Sequence, residues 1–349
     1  MALAIARSTD DAPAKAEQLL RGVFVSVIVP TYNRAFVLPY LLGSLARQIY
    51  PADLMEVLIV DNSSSDDTEA VVREWSRRLP FQIRFYRKGN KGPAASRNFG
   101  AARAVGEILA FTDSDCVPAA DWLRNGVRAF ADGAGIVCAP FLPAERPGDS
   151  LLVAQQDAIT SDRGCYPTAN LFVRRADFEA VSGFDERFGM YPWGELFAGE
   201  DTDLAWRIKR RGVRAVFTSD AVVWHLATPA SLGRLLLRPL VAQIIPALVG
   251  SIPELREMYL WRRYFNGKVH MYFHLAWLAL LASTLAKMPL IALLALPWAG
   301  HQVRRVLVPS LRSHGLRRGT LRFLLLLYRQ VACALVMVGA SVRYRRVVL

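Results

Sequence analysis

Cysteine is scarce: only Cys116, Cys138, Cys165 and Cys333 occur in 349 residues, and none of them stands in a CxxC spacing. This excludes a zinc ribbon or a disulfide framework and fits a reducing, cytosol-facing compartment. No GxGxxG and no P-loop follows the first apolar run, which excludes a dinucleotide enzyme or a P-loop nucleotidase. A signal-peptide stretch is also missing, because Asp10, Asp11, Lys15 and Glu17 interrupt the start of the chain. The catalytic part is therefore expected to stay where it is made. Internal repeats and low-complexity segments are absent.

The last third is short of acid. From Leu226 onward 17 Lys or Arg face only Glu254 and Glu257, whereas the residues up to His225 hold 26 basic and 28 acidic side chains. The net charge of +13 thus sits in a segment that is also strongly apolar. Nucleic-acid-binding segments seldom carry long aliphatic runs, so the excess points to a membrane surface and not to DNA or RNA.

From residue 23 short β-rich apolar runs alternate with helical patterns, the signature of a parallel α/β sheet. Strands are expected at 23–29, 55–60, 81–86, 107–112 and 135–139, with helices at 35–48, 66–79, 93–105 and 119–131. A less regular stretch follows, with a strand at 169–174 and a helix at 201–211. Ligands of such sheets sit beyond the carboxyl ends of the strands. Those ends carry Pro30-Thr31-Tyr32-Asn33-Arg34, Asp61-Asn62-Ser63-Ser64-Ser65-Asp66 and Asp113-Ser114-Asp115.

Asp113 and Asp115 are paired carboxylates after a strand, the ligand type that hard cations such as Mg2+ and Mn2+ prefer. A metal there can bridge a diphosphate and take up the charge of a departing nucleotide, although a lone DxD is also a common solvated turn. Glu200, Asp201 and Asp203 open a helix. The helix dipole accounts for one of them, and a carboxylate at this place can also serve as general base. His225 is a candidate metal ligand in a position where a lone histidine is more often structural. Arg97, within a glycine-containing loop and helix, can reach a phosphate.

The series PTYNR, VDNSSSDDT, NKGPAASRNFGAARAVGEILAFTDSD, GFDERF, GEDTDLAWRIKRRG and WH resembles the family 2 glycosyltransferases of the GT-A fold, a Rossmann-like mixed α/β sheet flanked by helices. Six motifs recur in order across residues 26–225, and the chain beyond lies outside the resemblance. The resemblance implies that Pro30, Thr31, Tyr32 and Asn33 line the nucleotide pocket, that Asp61 accepts a hydrogen bond from the base, and that Arg97, Asp113 and Ser114 lie near the donor. It implies Asp115 as the principal ligand of Mn2+ or Mg2+, with Asp113 and His225 completing the set. Asp201 would be the base of an inverting displacement, with Glu200 beside it binding the acceptor. No QxxRW appears, so a single-addition, non-processive transferase is expected, with UDP the expected donor base. The alternatives are a catalytically idle nucleotide-sugar-binding or scaffold protein of a membrane glycan-assembly complex, and a sugar nucleotidyltransferase. PTYNR lacks the glycine-rich basic loop that the latter needs.

The expected organisation is an N-terminal extension at 1–22, a catalytic domain at 23–228 and a membrane-associated helical region at 229–349. Within the last, 232–252 reads as an interfacial helix. Residues 272–300 read as an apolar hairpin or span divided at Lys287-Met288-Pro289, and 321–342 as an apolar helix. Between the last two runs, 301–320 reads as a loop bearing Arg304, Arg305, Arg312, Arg317 and Arg318. Two ordinary spans would place these arginines opposite the catalytic domain, against the positive-inside tendency, whereas a re-entrant hairpin keeps them beside it. The expected setting is the cytosolic face of the inner membrane, with a lipid- or polyprenyl-linked acceptor.

Overall fold

The computed structural model describes residues 20–89, 91–144, 153–154, 158–187, 199–229 and 231–349. The N-terminal extension thus lies almost wholly outside the described residues. The chain forms two compact units, Met1–Pro147 with Gln155–Thr228, and Gly148–Ala154 with Pro229–Leu349.

The first unit is built on a seven-stranded sheet. Strands β1 (Val25–Thr31) and β2 (Met55–Asp61) are buried along their whole length. That is what unbroken apolar runs produce when both faces of a parallel pair are covered. β2 pairs in parallel with β3 (Gln82–Arg87), and β1 with β4 (Ile108–Phe111). The order continues from β4 through β8 (Leu171–Arg174) and β6 (Ile136–Cys138) to β9 (Ala215–Phe217). β8 runs antiparallel to both neighbours. The sheet is therefore mixed and not all parallel, because the chain re-enters it at β8 after an excursion whose connection no periodicity announces. A second sheet sets β10 (Val223–Leu226) between β5 (Cys116–Pro118) and β7 (Phe141–Ala144).

Helices cover the large sheet but are shorter than their patterns suggest: α1 (Leu38–Leu45), α2 (Thr68–Ser76), α3 (Gly92–Ala101) and α4 (Trp122–Arg128). α3 lies close against β1, since a Cβ on Gly100 would stand 2.8 Å from the Ile28 side chain. Buried polar groups inside this core are mutually satisfied. Ser26 donates to Glu56 at 2.6 Å, Val105 N–H donates to the same carboxylate at 2.9 Å, and Arg84 pairs with it. Asn170 accepts from Trp122 Nε1 at 2.8 Å and donates to the carbonyls of Pro140 and Ala221 at 2.7 Å each, which ties the two sheets together.

The second unit is helical. Lys268–Ala286 is a helix of 19 residues that ends at Lys287 in a left-handed conformation (φ 56°). A 3-10 turn, Pro289–Ala295, and a short helix, Leu296–His301, return along it, so the Phe273 and Trp298 rings meet at 5.8 Å. Residues 301–320 are helical and not a loop. A π-helical stretch, Gln302–Leu307, leads into Val308–Arg343, broken only at Gly315 (φ 72°, ψ 178°). Leucine and arginine are good helix formers, and one glycine at a positive φ is enough to turn the chain. Residues 232–252 form two short helices, Leu232–Leu237 and Ile244–Ser251, around a 3-10 turn that contains Pro239. Two stretches, Lys268–Ala286 and Pro289–Arg343, are long and apolar enough to cross a membrane, with mean hydropathies of 1.4 and 1.9 and only 17% of each window buried.

Candidate active site

Parallel pairing aligns Thr31 with Asp61, so the loops after β1 and β2 leave the sheet side by side. Their side chains fasten one loop to the other. Asp61 is buried and accepts from Ser64 N–H at 3.1 Å on both oxygens and from the Ser64 hydroxyl. Ser64 Oγ in turn accepts from Asn33 N–H at 2.8 Å. Asn33 adopts a left-handed φ of 51°, which its residue type tolerates, and its Oδ1 accepts from Ser65 N–H at 2.8 Å. Asp66 completes the link by accepting from Ala35 N–H at 3.0 Å. Tyr32 stays 46% exposed above this corner, and Thr31 Oγ1 is buried with no partner among the described residues.

Beyond β4 the two aspartates take different partners. Asp115 is 6% exposed, with His225 Nε2 at 3.3 Å from one oxygen and Arg34 at 3.6 Å from the other. Its carbonyl accepts from Leu226 N–H at 2.8 Å, which fixes β10, and so His225, beside it. Asp113 is more open and pairs with Arg97 at 2.7 Å. The second arm of Arg97 reaches Glu200 at 3.0 Å. One buried guanidinium therefore joins the strand-end carboxylate to the first turn of a distant helix, and its charge offsets the desolvation of both carboxylates.

That helix, α5 (Glu200–Lys209), begins after Gly199 at φ 97°, a conformation that glycine adopts without strain. Burial and the neighbouring Asp201 push the Glu200 carboxyl up to about 7 against the pull of Arg97, and its Oε2 has no partner among the described residues. Burial likewise raises Asp201. Asp201 accepts from Thr202 N–H at 2.6 Å and from Thr168 N–H at 3.3 Å. The third acid is structural. Asp203 pairs with Arg207 at 2.7 Å, while Arg207 donates to the carbonyls of Val181 and Gly183 at 2.6 and 2.7 Å. Residues 188–198, which precede this helix, lie outside the described residues.

Asp113, Asp115, Cys116 and His225 present ligand atoms that all lie within 4.8 Å of one another. Two carboxylates and an imidazole suit Mn2+ or Mg2+, whose remaining coordination positions are commonly filled by phosphate oxygens or water. Cys116 is a poor fourth member, because burial, reinforced by Asp113 and Asp115, pushes its thiol well up and keeps it protonated in the core.

The structure thus brings Arg97, Asp113, Asp115, Glu200, Asp201 and His225 into one group. Pro30, Thr31, Tyr32, Asn33 and Asp61 form the adjoining strand-end corner, and Ser114 is buried between the two aspartates. The sequence reading missed Arg34 as the counter-charge of Asp115. Its only signal was a lone arginine directly after a strand-end loop. The reading also did not foresee that Glu200 is held by Arg97.

The family described as Glycosyl transferase family 2 matches residues 26–176, and Glycosyl transferase family group 2 matches residues 108–338, which carries the likeness past His225 into the helical region. Glycosyltransferase AglE of Haloferax volcanii is 30% identical over 258 residues, covering 66% of this chain and 82% of that protein. Validoxylamine A glucosyltransferase of Streptomyces hygroscopicus is 29% identical over 241 residues, or 59% of this chain, which spans only 55% of that relative's length. Among solved structures, a mannosyltransferase from Pyrobaculum calidifontis in complex with GDP-Man and Mn2+ superposes with a TM-score of 0.55 at 22% identity, over 93% of this chain and 94% of that one. Residues 1-349 of Staphylococcus aureus TarS with UDP-GlcNAc give 0.50 at 17% identity, over 93% and 92%. At these identities the likeness to solved structures establishes the fold.

Proposed function

The chain belongs to the family 2 glycosyltransferases, and from that premise we propose that it moves one sugar, with inversion, from a nucleotide-sugar donor to a lipid-linked or membrane-proximal glycan acceptor. The observation that carries the proposal is the pair of linked contacts at the strand ends, Arg97 between Asp113 and Glu200, and Asp115 beside His225. They put the donor-side candidates Arg97 and Asp113, the metal-ligand candidates Asp115 and His225, and Glu200, which precedes the base candidate Asp201, into one group.

In this reading Pro30, Thr31, Tyr32, Asn33 and Asp61 hold the nucleotide, with UDP the expected base, and Arg97, Asp113 and Ser114 lie along the donor. Asp115 and His225, with Asp113 beside them, would hold Mn2+ or Mg2+, which supplies charge stabilisation for the departing diphosphate. Arg34, already beside Asp115, is placed to add a second positive charge. Asp201 takes the proton of the acceptor hydroxyl as its oxygen attacks the anomeric carbon from the face opposite the leaving group. The bond from that carbon to the phosphate oxygen breaks, and the nucleoside diphosphate leaves with the electron pair. Glu200 Oε2, free of Arg97, faces the acceptor. The two backbone N–H groups on Asp201 fix its orientation.

The helical unit, residues 229–349, is assigned to the membrane, with the catalytic domain on the cytosolic side. Leu278, Leu281, Leu285, Leu290, Leu294 and Leu316 are each more than half exposed, the kind of apolar surface that a membrane covers. A lipid-linked acceptor is the substrate class that explains holding the enzyme there. Activity on a lipid-linked acceptor in vesicles is expected to exceed activity on the same soluble glycan by at least tenfold; equal rates without membrane would reject the lipid-linked class.

Residues 272–300 are assigned to a re-entrant hairpin. The reversal at Lys287 and the meeting of Phe273 with Trp298 support it. A membrane-impermeant thiol reagent is then expected to label Arg312→Cys from the face that carries the catalytic domain. Labelling from the opposite face would establish two spans.

A further inference from the structure

The GFDERF run begins at Gly183, and the reaction proposed above gives it no task. Residues 181–186 nevertheless touch three elements that each lead into the site. Toward α3, Asn98 engages Phe184 twice: its Oδ1 accepts from Phe184 N–H at 2.8 Å, and its Nδ2 donates to the Phe184 carbonyl at 2.9 Å. The same Nδ2 donates to the Glu186 carboxylate at 3.0 Å, so both N–H groups of the amide are used. Toward α5, which carries Glu200 and Asp201, Arg207 donates to the carbonyls of Val181 and Gly183 at 2.6 and 2.7 Å. Toward β4, the Phe184 ring meets that of Phe111 edge-on at 5.2 Å, two residues before Asp113. Gly183 permits the close approach: it holds φ 68°, and a Cβ there would stand 2.6 Å from Asn98 Oδ1.

The same segment lies against Arg97. Phe184 is only 2% exposed, and Arg97 Cζ stands 5.9 Å from the centroid of its ring. Arg97 reaches Asp113 and Glu200 through its two terminal nitrogens, while its Nε has no partner among the described residues. Two contacts at one end leave the guanidinium plane free to rock about the line that joins them, and an aromatic ring against it restrains that motion. Asn98, the next residue along α3, fixes the backbone from which this ring projects. We propose that Asn98 is a positioning residue of the transfer reaction, clamping Phe184 so that Arg97 is held between Asp113 and Glu200. The proposal rests on the reading above that sets Arg97 along the donor and Glu200 toward the acceptor.

The test reads nucleoside diphosphate release by the full chain with Mn2+, from the UDP- or GDP-sugar that wild type turns over fastest. Asn98→Asp keeps the side-chain size and the acceptor for Phe184 N–H, and it puts a carboxylate oxygen where the donor to the Phe184 carbonyl and Glu186 stood. It is expected to lower kcat at least about tenfold, the kind of loss that a small misplacement of a reacting group produces, and to change the donor KM less than about threefold. A merely structural role would lower the Tm and leave the kcat of the folded enzyme unchanged, so thermal unfolding is read alongside. Combination with Arg97→Lys, whose single amine cannot span both carboxylates, is expected to fall no more than about twofold below Arg97→Lys alone, since coupled residues are not additive. Should Asn98→Asp fail to fold, Phe184→Leu is expected to show the same loss of kcat and the same lack of additivity. Wild-type kcat in the folded variant, a rise in donor KM with kcat unchanged, or losses that multiply in full with Arg97→Lys would each overturn the positioning role. If wild type releases nucleoside diphosphate from none of these donors, the proposed function itself fails, an outcome distinct from the other three.

Discussion

Asp201→Asn lowers kcat by about 10²- to 10⁴-fold, the range that a positioned general base contributes, and leaves the KM for the donor nearly unchanged. Asn matches Asp in size, and its carbonyl oxygen still accepts the Thr202 N–H that Asp201 binds at 2.6 Å. The helix start therefore persists while the proton acceptor is lost. Equal falls in kcat and kcat/KM, with donor binding intact, identify an interaction made in the transition state. Glu200 is the rival base, since burial pushes its carboxyl up to about 7 and its Oε2 is unpartnered among the described residues. Its other oxygen is engaged by Arg97 at 3.0 Å, which commits Glu200 to holding the site together. If Asp201→Asn keeps more than a tenth of wild-type kcat while Glu200→Gln loses it, the assignment is reversed.

The grouping of polar residues at the strand ends was legible because parallel α/β sheets put their ligand loops at one edge, and the sequence marks those loops with polar residues after buried runs such as Val25–Thr31 and Met55–Asp61. The antiparallel β8 was not, since a four-residue strand of three apolar residues and Arg174 carries no sign of its direction. Nor was the bridge from Arg97 to Glu200, which joins residues 103 positions apart, a separation at which periodicity carries no signal. Asp203 read as part of an acidic cluster, yet its partner Arg207 is an i,i+4 neighbour that the sequence does display. In the helical unit the break at Lys287 was readable from Pro289, whereas the helicity of 301–320 was hidden by Pro309, Gly315 and Gly319.

Asp115→Ala carries the second large effect, because it removes the carboxylate flanked by both His225 and Arg34. Loss of a preorganised electrostatic group at the leaving side costs on the order of 10²- to 10³-fold in kcat. Removing one side of a buried ion pair also leaves the Arg34 charge uncompensated, so folding is checked alongside by thermal unfolding. The decisive measurement is turnover of the nucleotide-sugar donor by wild type and by Asp115→Ala, after chelation with EDTA and after Mn2+ is restored. The account predicts that chelated wild type is inactive and recovers with Mn2+, while folded Asp115→Ala stays at least 10²-fold below it at every Mn2+ concentration. Undiminished turnover in EDTA, or an Asp115→Ala enzyme as active as wild type, would contradict it.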